Sequence, residues 1–182
     1  MGCPSEDECP APTGSEYYYV SFVLDGPAIE PENVFLIYGG ADKGFSGPEI
    51  TVYKDYNVML IGAFNCPYAG GGISKFSFGC ELAFDTRGNY IGTYSDQGIT
   101  VGNFYFGNIL QIKEGGELYN YNLVDGSLTI TSFGDVGGDA EGTFNLTLEA
   151  ILKSAPSYGI DLTAIGDFRL IRLADSNRPT AP

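Results

Sequence analysis

Apolar and polar residues alternate in short runs along this chain, and the runs are separated by glycine, proline, asparagine and aspartate. The clearest run is Ser74 to Asp85. Phe76, Phe78, Cys80, Leu82 and Phe84 share one parity, and Lys75, Ser77, Gly79 and Glu81 hold the other. A period of two marks a half-buried strand, because successive side chains point to opposite faces. Glu141 to Lys153 alternates in the same way through Phe144, Leu146, Leu148 and Ala150. Tyr17 to Leu24 is aromatic and β-branched, and it stops at the turn signal Asp25-Gly26-Pro27. Asn33 to Tyr38, Glu49 to Tyr53 and Asn57 to Asn65 read as strands, as do the shorter Asn89 to Tyr94, Ile99 to Phe106 and Asn108 to Ile112. Leu118 to Val124 and Ser127 to Phe133 flank Asp125-Gly126, a strong hairpin signal. The segment Ile160 to Leu173 holds the last strand, Asp167 to Leu173. Leu148 to Ala155 is the best helical stretch, but it continues the alternation that begins at Glu141 and so argues for strand.

About ten short strands spaced by turns predict an all-β domain, an antiparallel sandwich, with a calycin-like barrel as the alternative. The two differ inside. A sandwich fills its core, whereas a ligand-carrying barrel lines a void with its inward residues. Residues 1–16 are rich in proline and acid and read as a tether, 17–174 as the β-domain, and 175–182 as a polar tail.

Composition narrows the chemistry. The 182 residues include no histidine and no tryptophan, but 26 Gly, 12 Phe and 13 Tyr. Without histidine there is no Ser-His-Asp or Cys-His nucleophile system, and the commonest zinc ligand is missing. The net charge of −14 repels nucleic acid and anionic membrane surfaces, and the nine Lys and Arg form no basic block. Gly70-Gly71-Gly72 is not followed by Gly-Lys-Ser/Thr and is no phosphate cradle. The expectation is a non-enzymatic module. A carrier of a small apolar ligand is the alternative, and a hydrolase of glycans working with two carboxylates ranks below it.

Four cysteines, Cys3, Cys9, Cys66 and Cys80, favour an oxidising compartment. Cys66 and Cys80 flank a glycine-rich segment and are candidates for a disulfide across it, worth a few kcal/mol through loop closure. Gly2-Cys3 before Pro, Ser, Glu and Asp matches the lipid-accepting end of a bacterial lipoprotein signal. Cys3 is therefore a candidate lipidation site, in competition with simple pairing to Cys9. Membrane contact is expected only through that anchor, with the domain at the cell surface or in the periplasm.

Gly126-Ser-Leu-Thr-Ile-Thr-Ser-Phe133, Glu141-Gly-Thr-Phe-Asn-Leu-Thr-Leu148 and Ile165-Gly-Asp-Phe-Arg-Leu-Ile171, with the opening Leu24-Asp25-Gly26, resemble the strands of small secreted β-sandwich lipoproteins common in Bacteroidota. The resemblance spans about residues 17–173 and implies a sandwich fold and an exported, anchored protein. It brings no catalytic residues with it. The added cysteines and the tyrosine-rich first strand depart from that pattern.

Two constellations remain as candidate sites. Tyr18, Tyr105, Tyr119 and Tyr121 lie in aromatic-rich strands where neighbouring rings face opposite ways, so some are expected at the surface as contacts for an extracellular protein or glycan. Asp135, Asp139 and Glu141 share one loop and could give oxygen ligands to calcium, although their spacing departs from the helix-loop-helix calcium loop and fits an ordinary solvated turn. No other cofactor is expected.

Overall fold

The computed structural model describes residues 18–37, 48–54, 57–64, 75–84, 90–95, 102–104, 108–114, 116–151 and 157–175, and there is no helix among them. The strands are β1 (Tyr19–Gly26), β2 (Ile29–Leu36), β3 (Glu49–Tyr53), β4 (Val58–Phe64), β5 (Phe76–Phe84) and β6 (Gly92–Ser95). They continue as β7 (Gly102–Phe104), β8 (Asn108–Glu114), β9 (Glu117–Phe133), β10 (Asp139–Ala150) and β11 (Asp161–Arg172).

The fold is all-β, but these strands do not divide into two packed sheets. β3, β4, β5, β8, β9, β10 and β11 each pair with the next, and β11 returns to β3, so the sheet closes as a seven-stranded barrel. The sandwich expected from the sequence is thus corrected to a barrel. The physical reason is strand length. β9 has 17 residues and β11 has 12, so on one edge each outruns a single neighbour and changes partner as it coils. One edge of β9 pairs with β8 through Glu117 to Asn122 and with β6 through Ser127 to Ile130. One edge of β11 pairs with β1 through Thr163 to Arg169 and with β3, in parallel, at Ile171 and Arg172. β7 bridges β5 to β6, giving the barrel a second closure beside β8.

Asp125-Gly126 makes no hairpin. β9 runs straight through it, with a register shift against β10 between Thr147 and Leu148. Gly126 has φ +128°, which non-glycine residues rarely adopt, and its N–H donates to Asp125 Oδ1 at 2.8 Å. The dipeptide bends the strand where it leaves β8 and meets β6, as a β-bulge does. Asp25-Gly26 repeats the local hydrogen bond at 2.8 Å, and there a turn does follow, at Pro27-Ala28 between β1 and β2.

The alternation in β5 survives folding intact, with Phe76, Phe78, Cys80, Leu82 and Phe84 all buried. Inward side chains meet across the interior. Phe78 stacks on Phe144 at 5.0 Å between centroids, and Phe22 lies 6.0 Å from Phe144 and 6.2 Å from Phe78. Gly166 makes room for that cluster. It pairs with Phe22 on one side and Phe144 on the other, and a Cβ there would sit 2.0 Å from the Ser21 carbonyl oxygen. The carrier's void is occupied at this level by aromatic rings.

Both ends of the barrel are tied. Where β10 passes to β11, the Tyr158 hydroxyl donates to Glu32 Oε2 at 2.9 Å, Lys75 Nζ donates to Glu32 Oε1 at 3.1 Å, and the Tyr158 ring packs edge-on against Phe76. At the other end, where β9 turns into β10, Arg172 donates to the Gly134 carbonyl at 2.7 Å and lies 4.8 Å from the Phe133 ring centroid. It also binds Asp175, which in turn pairs with Lys54 at 2.6 Å.

Candidate functional site

The outer face of β6, β9, β10, β11, β1 and β2 is built by register. One cross-strand row reads Thr93, Thr129, Thr143, Asp167, Ser21 and Phe35. The next reads Ser95, Ser127, Asn145, Ile165, Val23 and Asn33. A third holds Asp125, Thr147, Thr163 and Asp25. These positions face outward because their neighbours Phe144, Leu146, Leu128, Ala164, Phe22 and Leu24 take the inward parity. The result is a floor of small hydroxyl and amide groups.

Two concavities lie in line along this floor. The first, about 470 Å³, is lined by Ser127, Thr129, Thr143, Phe144, Asn145, Ile165, Gly166 and Asp167. The second, about 300 Å³, is lined by Asp25, Gly26, Pro27, Thr147, Asp161, Leu162 and Thr163. Tyr19 engages Asp167 of the first: its hydroxyl donates to Asp167 Oδ2 at 2.8 Å, and its ring stacks on Phe35 at 5.6 Å. That hydrogen bond, and burial after it, raise the Tyr19 hydroxyl above the ordinary tyrosine value. Phe35 is 57% exposed, Ile165 54% and Val23 42%, so the polar floor carries three apolar side chains in the open.

Charge on this face is one-sided. On the outward parity these strands carry Asp25, Asp125, Asp139, Glu141, Glu149, Asp161 and Asp167 against one cation, Arg169. Arg172 is drawn under Phe133 and bound to Asp175. Arg169 Nε donates to Asp139 Oδ2 at 3.0 Å and stands 3.4 Å from Glu141 Oε1. No protein-family model, curated protein or solved structure matches the chain.

The residues anticipated from the sequence fall in several places. Tyr18 is half-buried beside Asp139 and Arg169; burial, then a hydrogen bond to Asp139, raise its hydroxyl above the usual value. Tyr121 is a correction. It is fully buried and its hydroxyl donates to the Gly159 carbonyl at 2.8 Å, so it is core and not a surface contact. Burial pushes its hydroxyl up to about 12. Tyr119 packs half-buried against the same core, and Tyr105 lies outside the described residues. Asp139 and Glu141 come together, but around Arg169. Asp135 sits on the turn between β9 and β10, where its carbonyl accepts from the Gly138 N–H at 2.8 Å. Among the described residues no group of three or more acids or cysteines is placed to hold a metal ion.

Cys80 is a buried free thiol, and burial raises its pKa. Its proposed partner Cys66 lies outside the described residues, as do Cys3, Cys9, the tether at 1–16 and the tail beyond Asp175.

The floor residues Ser127, Thr129, Thr143, Asn145 and Asp167 were not singled out from the sequence. Their signal was present, since Thr143, Asn145 and Thr147 occupy the polar parity of β10. A polar parity alone says only that a face is wet. Which strands stand beside it, and so whether hydroxyls gather into rows, is set by register.

Proposed function

We propose that this protein is an exported, lipid-anchored binding module that engages its partner through the outer face of β9, β10 and β11 and performs no covalent chemistry. The observation that carries this reading is the pair of aligned grooves over rows of hydroxyl and amide side chains, next to the exposed Phe35 and Ile165. Such a surface offers hydrogen bonds and apolar contact without an activated nucleophile. The first groove is lined by a single carboxylate, Asp167, which Tyr19 engages. The carrier alternative requires space where Phe22, Phe78 and Phe144 meet. Export and anchoring rest on Gly2-Cys3, the acidic proline-rich segment after it and the cysteine usage.

Intact mass of the protein from its own cells, with and without reduction, tests the compartment. A diacyl or triacyl increment on Cys3 is the expected result; four free thiols and no lipid would overturn it. Retention on envelope material from those cells tests the face. The double variant Thr143→Lys/Asn145→Lys, at two exposed strand positions, should keep its melting temperature and lose retention. Equal retention of the variant would reject this face as the binding surface.

A further inference from the structure

We infer that the ligand of this face is an uncharged glycan chain, laid along β10 and β11 across both grooves. This rests on the outer face being the binding surface. Three observations lead to that chemistry.

The first is shape. The grooves follow one another in the strand direction, from the row of Thr143 and Asp167 to Thr163 and Asp161. Six residues of strand separate Asp167 from Asp161, a run of about 20 Å, which suits an extended polymer better than a single small molecule. The floor is shallow because its side chains are Ser, Thr and Asn, and Gly166 adds no bulk beneath them.

The second is the pairing potential. Thr143, Asn145, Thr147 and Thr163 present hydroxyl and amide groups that both donate and accept, and Asp167 accepts only. Sugar hydroxyls also donate and accept, so each can be matched from such a floor. Phe35 and Ile165 offer apolar surface to the C–H faces of sugar rings.

The third is charge. Among the described residues of this face the outward cation, Arg169, is already held by Asp139 and Glu141, so none is left to recognise a phosphate, sulfate or uronate. An anionic glycan would be repelled. A basic peptide would fit the charge, but the first groove holds one carboxylate among four hydroxyl or amide side chains, and Tyr19 already donates to it. Hydroxyl matching therefore decides in favour of the neutral ligand there.

The test is an NMR titration of the full chain with neutral hexose oligomers of the gluco, manno and galacto series. A polyuronate oligomer and a lysine-rich peptide are run as comparison ligands. The expected result is saturable shifts for at least one neutral series, confined to the amides of β9, β10, β11 and β1. Asn145→Ala and Thr143→Ala, each exposed and safe for folding, should each weaken binding by roughly fivefold to tenfold. Shifts on the same strands with only the peptide or the polyuronate would overturn the inference of an uncharged glycan and leave the binding face standing. No shifts on these strands with any ligand would reject both. Release of reducing ends during the titration would overturn the non-enzymatic reading, with Asp25 and Asp161 of the second groove as the first acids to replace.

Discussion

At Gly166 a single hydrogen stands where a side chain would collide with β1. A Cβ there would lie 2.0 Å from the Ser21 carbonyl oxygen and 2.6 Å from Phe22 Cβ. Gly166→Ala should therefore cost about 3 kcal/mol, read as a fall in the urea midpoint at unchanged m-value. Gly62 is the control, since nothing lies within 4 Å of its would-be Cβ. Gly62→Ala should be neutral or stabilising by about 0.5 kcal/mol. Glycine is easy to see in the chain; which glycines are spacers and which are bystanders depends on the strand opposite. Asp175 shows the same dependence. Its hydrogen bond to Lys54, and a further one to Arg172, hold its carboxyl below the usual carboxylate range of about 3.8. A depressed native pKa adds stability that is full above the unfolded value and disappears as pH falls through the native one. Asp175→Asn should lower the melting temperature at pH 7, and the gap to the native chain should start to shrink below the ordinary carboxylate value and close as pH falls through the lower native one. Composition places residue 175 in a polar tail, and only the fold brings it to Lys54 and Arg172.

Among elements, β5 was legible in full and β9 was not. Strict alternation over Phe76 to Phe84 leaves one arrangement that buries every apolar side chain, so the strand and its inward face follow from parity alone. Cys80 shares that inward parity. In the folded protein at pH 8 its thiol should resist a thiol reagent for as long as the barrel is closed and react at once in denaturant, as counted by mass spectrometry. Rapid labelling of Cys80 in the native state would show that β5 opens locally. β9 carries a dipeptide whose commonest use is a two-residue hairpin, yet it pairs with β10 on both sides of that dipeptide. The local preference of Asp-Gly for an unusual backbone is satisfied equally by a bulge, and long-range pairing chooses between them. Gly126→Ala should be severely destabilising, because φ is +128° and a Cβ would meet the Asn145 carbonyl at 2.2 Å. The loss should appear as a drop in melting temperature, with Gly137→Ala, at φ +84° but in open space, dropping less.

For the whole molecule the prediction concerns the interior. Phe22, Phe78 and Phe144 meet across the interior, where a carrier would keep its ligand. A fluorescent fatty acid should show no saturable one-to-one binding in a titration, and stoichiometric uptake would refute a packed core. What the amino-acid order determined by itself was local: the all-β class, most strand positions, the inward faces of β5 and β10, and the exclusion of histidine chemistry. These follow from side-chain period and residue chemistry, which act over a few neighbours. The tertiary structure decided the rest. A sandwich and a barrel share the same period of two, and they differ only in whether β11, at the end of the chain, returns to β3. The burial of Tyr121, the capture of Asp139 and Glu141 by Arg169, and the rows of hydroxyls on the outer sheet also depend on which distant strands become neighbours. Register between residues far apart in the chain is a collective outcome of closing the sheet, and no short stretch of sequence contains it.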